Sequence, residues 1–369
     1  MRFRTLLTLF LVLSLALPRF SIVARAKEAP GVSASAAILC HPASGSVLYE
    51  KNADQRRPIA STTKIVTALT VLRLEIDLSR TVAIPAGACG VEGSSLYLKA
   101  DETLSLSDLL YGLMLASAND AAAALAILTA GSIEAFAEEM NRTALDAGAV
   151  NSHFSNPHGL DHPEHYSTAR DLASIASAAL DDETFREIVS TKRKTVPAPD
   201  DGKRWLINHN KLLNLLPGCV GVKTGFTKKS GRCLVSAAER DGELLVAVTL
   251  NAPNDWNDHI ALYDYGFATL EKRTLLDVGD LAVDCPVVNG TVKTVKTVNR
   301  EAITLALPTG AERPTRRIKL PRFLPAPLAK GEIVGSVEYE LNGKTVGYSP
   351  LVVTEGVGEI KYKKGFFRR

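Results

Sequence analysis

Ser61 and Lys64 stand three residues apart in the stretch Pro58-Ile59-Ala60-Ser61-Thr62-Thr63-Lys64-Ile65-Val66-Thr67-Ala68-Leu69. A serine hydroxyl is a weak nucleophile at neutral pH and needs a neighbouring base. A lysine can be that base where burial among apolar groups disfavours its ammonium form, and Ile65, Ala68 and Leu69 offer such surroundings. Pro58 suits the approach to a helix, so the stretch predicts a helix from about Ser61 to Leu74, with Lys64 on the same face as Ser61. A helix start also brings backbone N–H groups and a positive dipole end near any oxyanion formed at Ser61. Taken alone, the pair also fits a helix-capping serine beside a surface lysine. Ser-x-x-Lys arises about once by chance in a chain of this length.

The chain that must position this pair has 369 residues, 46 % hydrophobic and 22 % charged. That is enough for a sizeable core and for two domains, or a large domain with a small one. Residues 1–26 read as an export signal. Arg2 and Arg4 precede an apolar run from Leu6 to Leu17, and Ala24-Arg25-Ala26 supplies small residues on both sides of a cleavage site's second position. The run is shorter than the about 20 apolar residues of a spanning helix; an uncleaved anchor is the alternative. Those residues hold four arginines and no acid, so removing them takes the formal charge from +3 to −1. The basic excess therefore gives no argument for nucleic-acid binding. Five cysteines (40, 89, 219, 233 and 285) lie scattered without CxxC spacing, which is neither a disulfide framework nor a zinc ribbon. Free, mostly buried thiols are expected, with Cys219 and Cys233 the nearest pair if one bond forms.

Val32 to Leu39 and Ser46 to Tyr49 read as a hairpin around His41-Pro42-Ala43-Ser44-Gly45. After the Ser61 helix and a polar, glycine-containing stretch at 86–100, helical spacing covers Leu104 to Leu115, with Ser105 or Ser107 as its cap. Ser117-Ala118-Asn119-Asp120 interrupts it, and helices follow at Ala121 to Leu128, Ser132 to Leu145, Thr168 to Leu180 and Glu183 to Ser190. Strand character returns at Val220 to Gly225, Arg232 to Ala237 and Leu244 to Leu250, before a helix from His259 to Leu270. Strands, a helical insertion, then strands and a helix predict an α+β domain whose antiparallel sheet is built from both ends of the sequence. Beyond about Leu276, short β-rich runs between Gly, Pro and Asn turns predict a small all-β sandwich domain. The tail at 357–369 mixes cations with aromatics, a composition suited to peripheral contact with an anionic membrane and equally to a solvated terminus.

Three short motifs stand in order: Ser61-x-x-Lys64, Ser117-x-Asn119 and Lys223-Thr224-Gly225. Each is weak alone; together, on a helix start, an interhelical loop and a strand, they are specific. Here the chain resembles the penicillin-recognising serine enzymes, and more narrowly the low-molecular-weight penicillin-binding proteins that act as D-alanyl-D-alanine carboxypeptidases. The likeness extends to Asp108 to Ala122, Met140-Asn141, His158-Gly159-Leu160-Asp161, Thr168 to Ala173 and Asn208-x-Asn210-x-Leu212-Leu213. It covers roughly residues 30–275, and the β-domain is also family-like. The resemblance implies a β-lactamase/transpeptidase-like catalytic domain over 27–275, a β-rich domain over 276–356 and a place in the bacterial cell envelope.

It also implies roles. Ser61 attacks the carbonyl between two terminal D-alanines, Lys64 accepts its proton, and Ser117 relays that proton to the leaving amine. Asn119 holds Lys64 and the substrate's peptide group, while Lys223 and Thr224 suit a terminal carboxylate. Gly225 admits substrate backbone, and the N–H groups of Ser61 and Phe226 form the oxyanion hole. Residue 226 is Phe where many such carboxypeptidases carry His, a change that leaves the backbone donor intact and bears on substrate preference or deacylation. No Glu-x-x-Leu-Asn, the water-activating motif of class A β-lactamases, lies between Asn119 and Lys223, so a penicillin adduct should persist. His153, His158, His162 and His165 lie in a proline- and glycine-broken loop, where helical metal-ligand spacing does not apply, and no metal or organic cofactor is expected. Arg170 and Asp171 read as structural ion partners. The function expected is serine DD-carboxypeptidase action on peptidoglycan pentapeptide stems, inhibited by β-lactams. The alternatives are a DD-endopeptidase, a weak β-lactamase or a non-catalytic wall-binding protein.

Overall fold

The computed structural model describes residues 28–361. The expected export signal at 1–26 and the end of the tail, 362–369, lie outside them. Strands β1 (Ala36–His41) and β2 (Ser46–Lys51) form the first hairpin, and a 3₁₀ turn at Ala60–Thr63 leads into α1 (Lys64–Arg73). A short ribbon of β3 (Thr81–Ala83) and β4 (Thr103–Ser105) precedes α2 (Leu106–Leu115), α3 (Asn119–Ala130), α4 (Ile133–Asp146), α5 (Ala169–Leu180) and α6 (Glu183–Ser190). A hairpin of β5 (Arg193–Ala198) and β6 (Gly202–Ile207) and a single turn, α7 (Leu212–Leu215), come next. Then β7 (Cys219–Thr227), β8 (Gly231–Arg240) and β9 (Glu243–Leu250) run as a meander into α8 (Asp255–Thr269).

The central sheet has the order β2-β1-β9-β8-β7, antiparallel throughout, so the first strand pairs with the last strand of the meander. The strand, helix and strand order of the sequence thus closes into one sheet, with the helical segment between its two contributions. Side chains alternate along β9: Val246 and Val248 face the helices of the insertion, while Leu245 and Ala247 face α7 and α8. β7 ends the sheet, and no strand pairs with its outer edge among the described residues. Helix starts are set by side-chain caps at Ser105, Ser132, Thr168 and Asp182, each accepting from a backbone N–H three residues on. Such a cap is worth about 1 kcal/mol. Of the two serines proposed to cap α2, Ser105 is the one that does so.

Strand β10 (Leu270–Leu276) leaves α8 directly and pairs with β13 (Ile303–Pro308), after β11 (Ala282–Val288) and β12 (Thr294–Asn299). With β14 (Thr315–Lys319), β15 (Leu324–Pro325), β16 (Ile333–Leu341) and β17 (Lys344–Val353) they make an all-β unit around Ile303, Val337 and Leu351 on one side and Cys285, Val295 and Val353 on the other. Its β16–β17 turn touches the first hairpin: Asn342 Nδ2 donates to Ser44 O at 3.3 Å and Lys344 Nζ to Pro42 O at 3.4 Å. The five cysteines are free thiols, so Cys219 and Cys233 are not bonded.

Candidate active site

Ser61 sits inside the 3₁₀ turn, one turn before α1 begins at Lys64, rather than in the helix itself. The turn is held by hydroxyls: Thr62 Oγ1 donates to Ile59 O at 2.7 Å and Thr63 Oγ1 to Ala60 O at 2.8 Å. Because the Thr63 hydroxyl uses its proton on Ala60, the 2.8 Å contact with His165 Nε2 makes His165 the donor there, and its Nδ1 accepts from Ser155 N at 3.1 Å. Burial carries the His165 pKa down to about 3, so it stays a neutral buttress of the turn. Ala60 (φ +48°) and Ser117 (φ +60°) hold left-handed backbone despite their side chains, the kind of local strain that collects at functional sites.

Lys64 is wholly buried, and its Nζ lies 3.0 Å from Ser61 Oγ, 2.7 Å from Asn119 Oδ1 and 2.7 Å from His158 O. Burial holds its pKa well below the ordinary lysine range; Lys223 pushes the same way and Asp120 opposes them. The amide and peptide oxygens can only accept. A neutral amine therefore gives its two hydrogens to them and leaves its lone pair facing the Ser61 hydroxyl. The Asn119 amide is oriented by Glu92 O, which accepts from Nδ2, and Asn119 N donates to Ser94 O at 2.7 Å. Asp120, 1 % exposed, pins the rest of that loop by accepting from Ser95 Oγ at 2.6 Å and from Leu96 N and Leu98 N at 3.0 Å. Gly93, at φ +96°, leaves room for this: a Cβ there would lie 2.7 Å from Asn119 Nδ2.

A cleft of about 930 Å³ opens over these groups, lined by Ser61, Ser117, Thr224, Gly225 and Phe226 and walled by residues of β6, α7 and the start of α8. Among the described residues the Ser117 hydroxyl has no hydrogen-bond partner, so it is available to a bound molecule. Lys223 is 1 % exposed, burial brings its pKa down to about 7, and its Nζ donates to Thr224 O at 2.8 Å. At Gly225 a Cβ would stand 3.0 Å from both Ile59 O and Ser61 N. The missing side chain thus lets β7 lie directly against the nucleophile's turn. Phe226 is largely exposed on the rim.

All eight residues singled out from the sequence come together here. The sequence reading missed the Glu92 and His158 carbonyls, Asp120, His165 as a buttress, and the cleft walls at Ile207, Arg232 and Trp256. Asn119-Asp120 and the glycine-rich run at 90–95 were the available signals for the first of these. Among the described residues no group of three His, Cys, Asp or Glu, the loop histidines included, is placed to hold a metal. Arg170 pairs with Asp54 at 2.7 Å and Glu50 at 2.6 Å, while Asp171 accepts from Asn151 N and Ser152 Oγ.

The profile of the D-alanyl-D-alanine carboxypeptidase family matches residues 23–254, and that of the penicillin-binding protein 5 C-terminal domain matches 270–359. D-alanyl-D-alanine carboxypeptidase DacC of Escherichia coli is 36 % identical over 93 % of this chain and 88 % of its own. DacF of Bacillus subtilis is 31 % identical over 87 % of this chain and 85 % of its own. The structure of penicillin-binding protein 5 from Haemophilus influenzae superposes with a TM-score of 0.67 at 32 % identity, covering 90 % of this chain and all of that one. With its two matched domains, and with Lys64 hydrogen-bonded to both Ser61 and Asn119 beside the cleft, the chain belongs to the D-alanyl-D-alanine carboxypeptidase family.

Proposed function

We propose that the protein is a serine-type DD-carboxypeptidase of the bacterial cell envelope that removes the terminal D-alanine from peptidoglycan pentapeptide stems and is inhibited by β-lactams. The observation that carries this reading is the buried Lys64 amine, whose two fixed acceptors leave a lone pair on Ser61 Oγ. In this mechanism Lys64 takes the Ser61 proton as Oγ attacks the carbonyl between the two D-alanines. The oxyanion forms against the N–H groups of Ser61 and Phe226, which Gly225 allows to approach one another. Lys64 then returns the proton through the free Ser117 hydroxyl to the leaving amine, with Lys223 tuning the network. Water hydrolyses the acyl-enzyme and regenerates Ser61. Asn119 orients Lys64, and Thr224 meets the substrate's carboxylate end on the edge strand β7.

The same reading divides the chain into an export signal (1–26), a catalytic domain (27–275), a β-domain (276–356) and a tail (357–369), with β10 pairing across the join. Export delivers the enzyme to its substrate, and the tail's cations and aromatics give it a peripheral hold on the membrane. The test is to incubate the protein with a synthetic peptide ending in D-Ala-D-Ala and measure free D-alanine, with and without prior penicillin. Release that penicillin abolishes is the expected result; covalent labelling by penicillin without release overturns carboxypeptidase action in favour of another acyl transfer.

A further inference from the structure

The wall of the cleft has a second pocket behind it. Ile207, Asn208 and Asn214 line the cleft and also line a separate space of about 500 Å³ between the start of β5, the end of β6 and α7. The β6–α7 loop is tied to the end of α2, where His209 N donates to Leu115 O at 3.3 Å, two residues before Ser117. Ser117 hands the proton to the leaving amine in the mechanism above, so this pocket adjoins the leaving-group side of the cleft. The single D-alanine of the carboxypeptidase reaction belongs in the cleft itself. A longer leaving group that crosses Ile207 and Asn208 enters the pocket beyond.

Within that loop one amide is left over. Asn208 Nδ2 donates to Val189 O at 3.1 Å and to Thr191 O at 3.0 Å, and its Oδ1 accepts from Asn210 N at 2.9 Å. Asn210 lines the pocket and is 2 % exposed. Its Oδ1 accepts from Leu212 N at 3.0 Å, so its Nδ2 is turned away from that bond, and Nδ2 has no partner among the described residues. A buried donor without a partner is costly, and an acceptor entering the pocket removes that cost. Lys192 and Arg193 stand exposed at the rim; the lining holds no acid, and no carboxylate pairs with either cation among the described residues. Spare donors and cations beside Leu213 and Ile207 suit a peptide rich in carbonyl and carboxylate groups. Resting on the carboxypeptidase reading above, we infer that this pocket binds an acidic peptide joined to the substrate through the leaving amine, so that the enzyme also opens cross-links between two stem peptides. Lys192, Arg193 and Asn210 hold the second peptide, and the bond chemistry is unchanged. The amide between the D-alanine carbonyl and the second peptide's amine breaks as Ser61 Oγ forms its ester, the amine leaves with the proton relayed by Ser117, and water hydrolyses the ester.

The test measures kcat/KM on two substrates: a pentapeptide ending in D-Ala-D-Ala, and a cross-linked dimer in which the D-alanine carbonyl is joined to the amine of a second peptide bearing free carboxylates. The wild-type protein should cut both. Asn210→Asp keeps the acceptor for Leu212 N and turns a carboxylate oxygen into the pocket, so it should lower kcat/KM on the dimer by on the order of tenfold. The double variant Lys192→Gln with Arg193→Gln changes only exposed side chains and should lower it by about three- to tenfold. Both variants should keep the wild-type rate of D-alanine release from the pentapeptide, and a dimer whose second peptide carries carboxamides should be insensitive to the double variant. A dimer left intact by a wild-type protein that trims the pentapeptide overturns the inference and leaves the carboxypeptidase reading standing. So does a dimer rate unchanged in both variants, the result for a pocket that holds only water, or an equal loss on both substrates. If the wild-type protein cuts neither substrate, the carboxypeptidase reading itself falls, and this inference with it.

Discussion

Asn119→Asp is a nearly isosteric change with a calculable consequence. The side chain holding Lys64 Nζ at 2.7 Å keeps its shape but gains a negative charge. An anion at hydrogen-bond distance from a buried amine favours the ammonium form and raises its pKa by about 1–3 units. The Glu92 carbonyl, which now receives the Asn119 N–H, would face an oxygen instead and oppose ionisation of the new carboxyl, so the lower end of that range is expected. Wherever the acylation rate is limited by the neutral amine, each unit lowers it by about tenfold at fixed pH. The assay is the second-order rate of labelling by a fluorescent penicillin, followed from about pH 6 to pH 10. The rising limb should move to higher pH by at least about one unit, and the lost rate should return as the pH is raised. Asn119→Ala should instead slow labelling by on the order of tenfold at every pH, because the amine loses one fixed acceptor. An Asn119→Asp profile that coincides with the wild-type one would refute a neutral Lys64 as the base.

The remaining predictions concern the groups around that amine. Gly225→Ala sets a methyl 3.0 Å from Ile59 O and Ser61 N, and should cost about 1–3 kcal/mol in denaturant unfolding while slowing labelling more than tenfold. Lys223 has a folded pKa of about 7 against an ordinary 10.5, so between those values the unfolded chain binds a proton the folded one lacks. Wild-type stability should therefore rise with pH across that window by about 1 kcal/mol per unit, and Lys223→Met should raise Tm near neutral pH by an amount that fades towards the upper end. Arg204 bridges β6 to Glu102 with two bonds of 2.8 and 2.9 Å and also donates to Leu96 O in the loop that orients Asn119. Arg204→Ala should cost about 3–5 kcal/mol by stranding a buried carboxylate, and adding Glu102→Gln should recover part of it in a double-mutant cycle.

The parts of the site that announce themselves in sequence are those whose side chains carry the chemistry. Ser61, Lys64, Ser117, Asn119 and the Lys223-Thr224-Gly225 strand could be read because hydroxyls, amines and amides at fixed offsets suggest a reaction. Helix starts were legible for the same local reason, since Ser105, Ser132, Thr168 and Asp182 bond their own backbones. The acceptors that set Lys64's lone pair were hidden, because a peptide oxygen such as His158 O or Glu92 O has no residue type of its own. The buttressing role of His165 was hidden because its partner, Thr63, is remote in sequence. The β5–β6 hairpin gave no period-two signal, since each strand buries a single residue, Val196 or Leu206, and Pro197 interrupts the first. Arg232 lies beside Thr224 only through the β7–β8 register, which the turn between the strands determines.

The central claim is that Ser61 is the nucleophile, and peptide mapping after reaction with penicillin tests it most directly. The protein should gain the mass of one opened β-lactam, carried on the peptide containing Ser61, and the adduct should survive removal of free drug. Ser61→Ala, with an unchanged Tm, should gain none. An adduct that maps to another residue, or that persists in Ser61→Ala, would contradict the account.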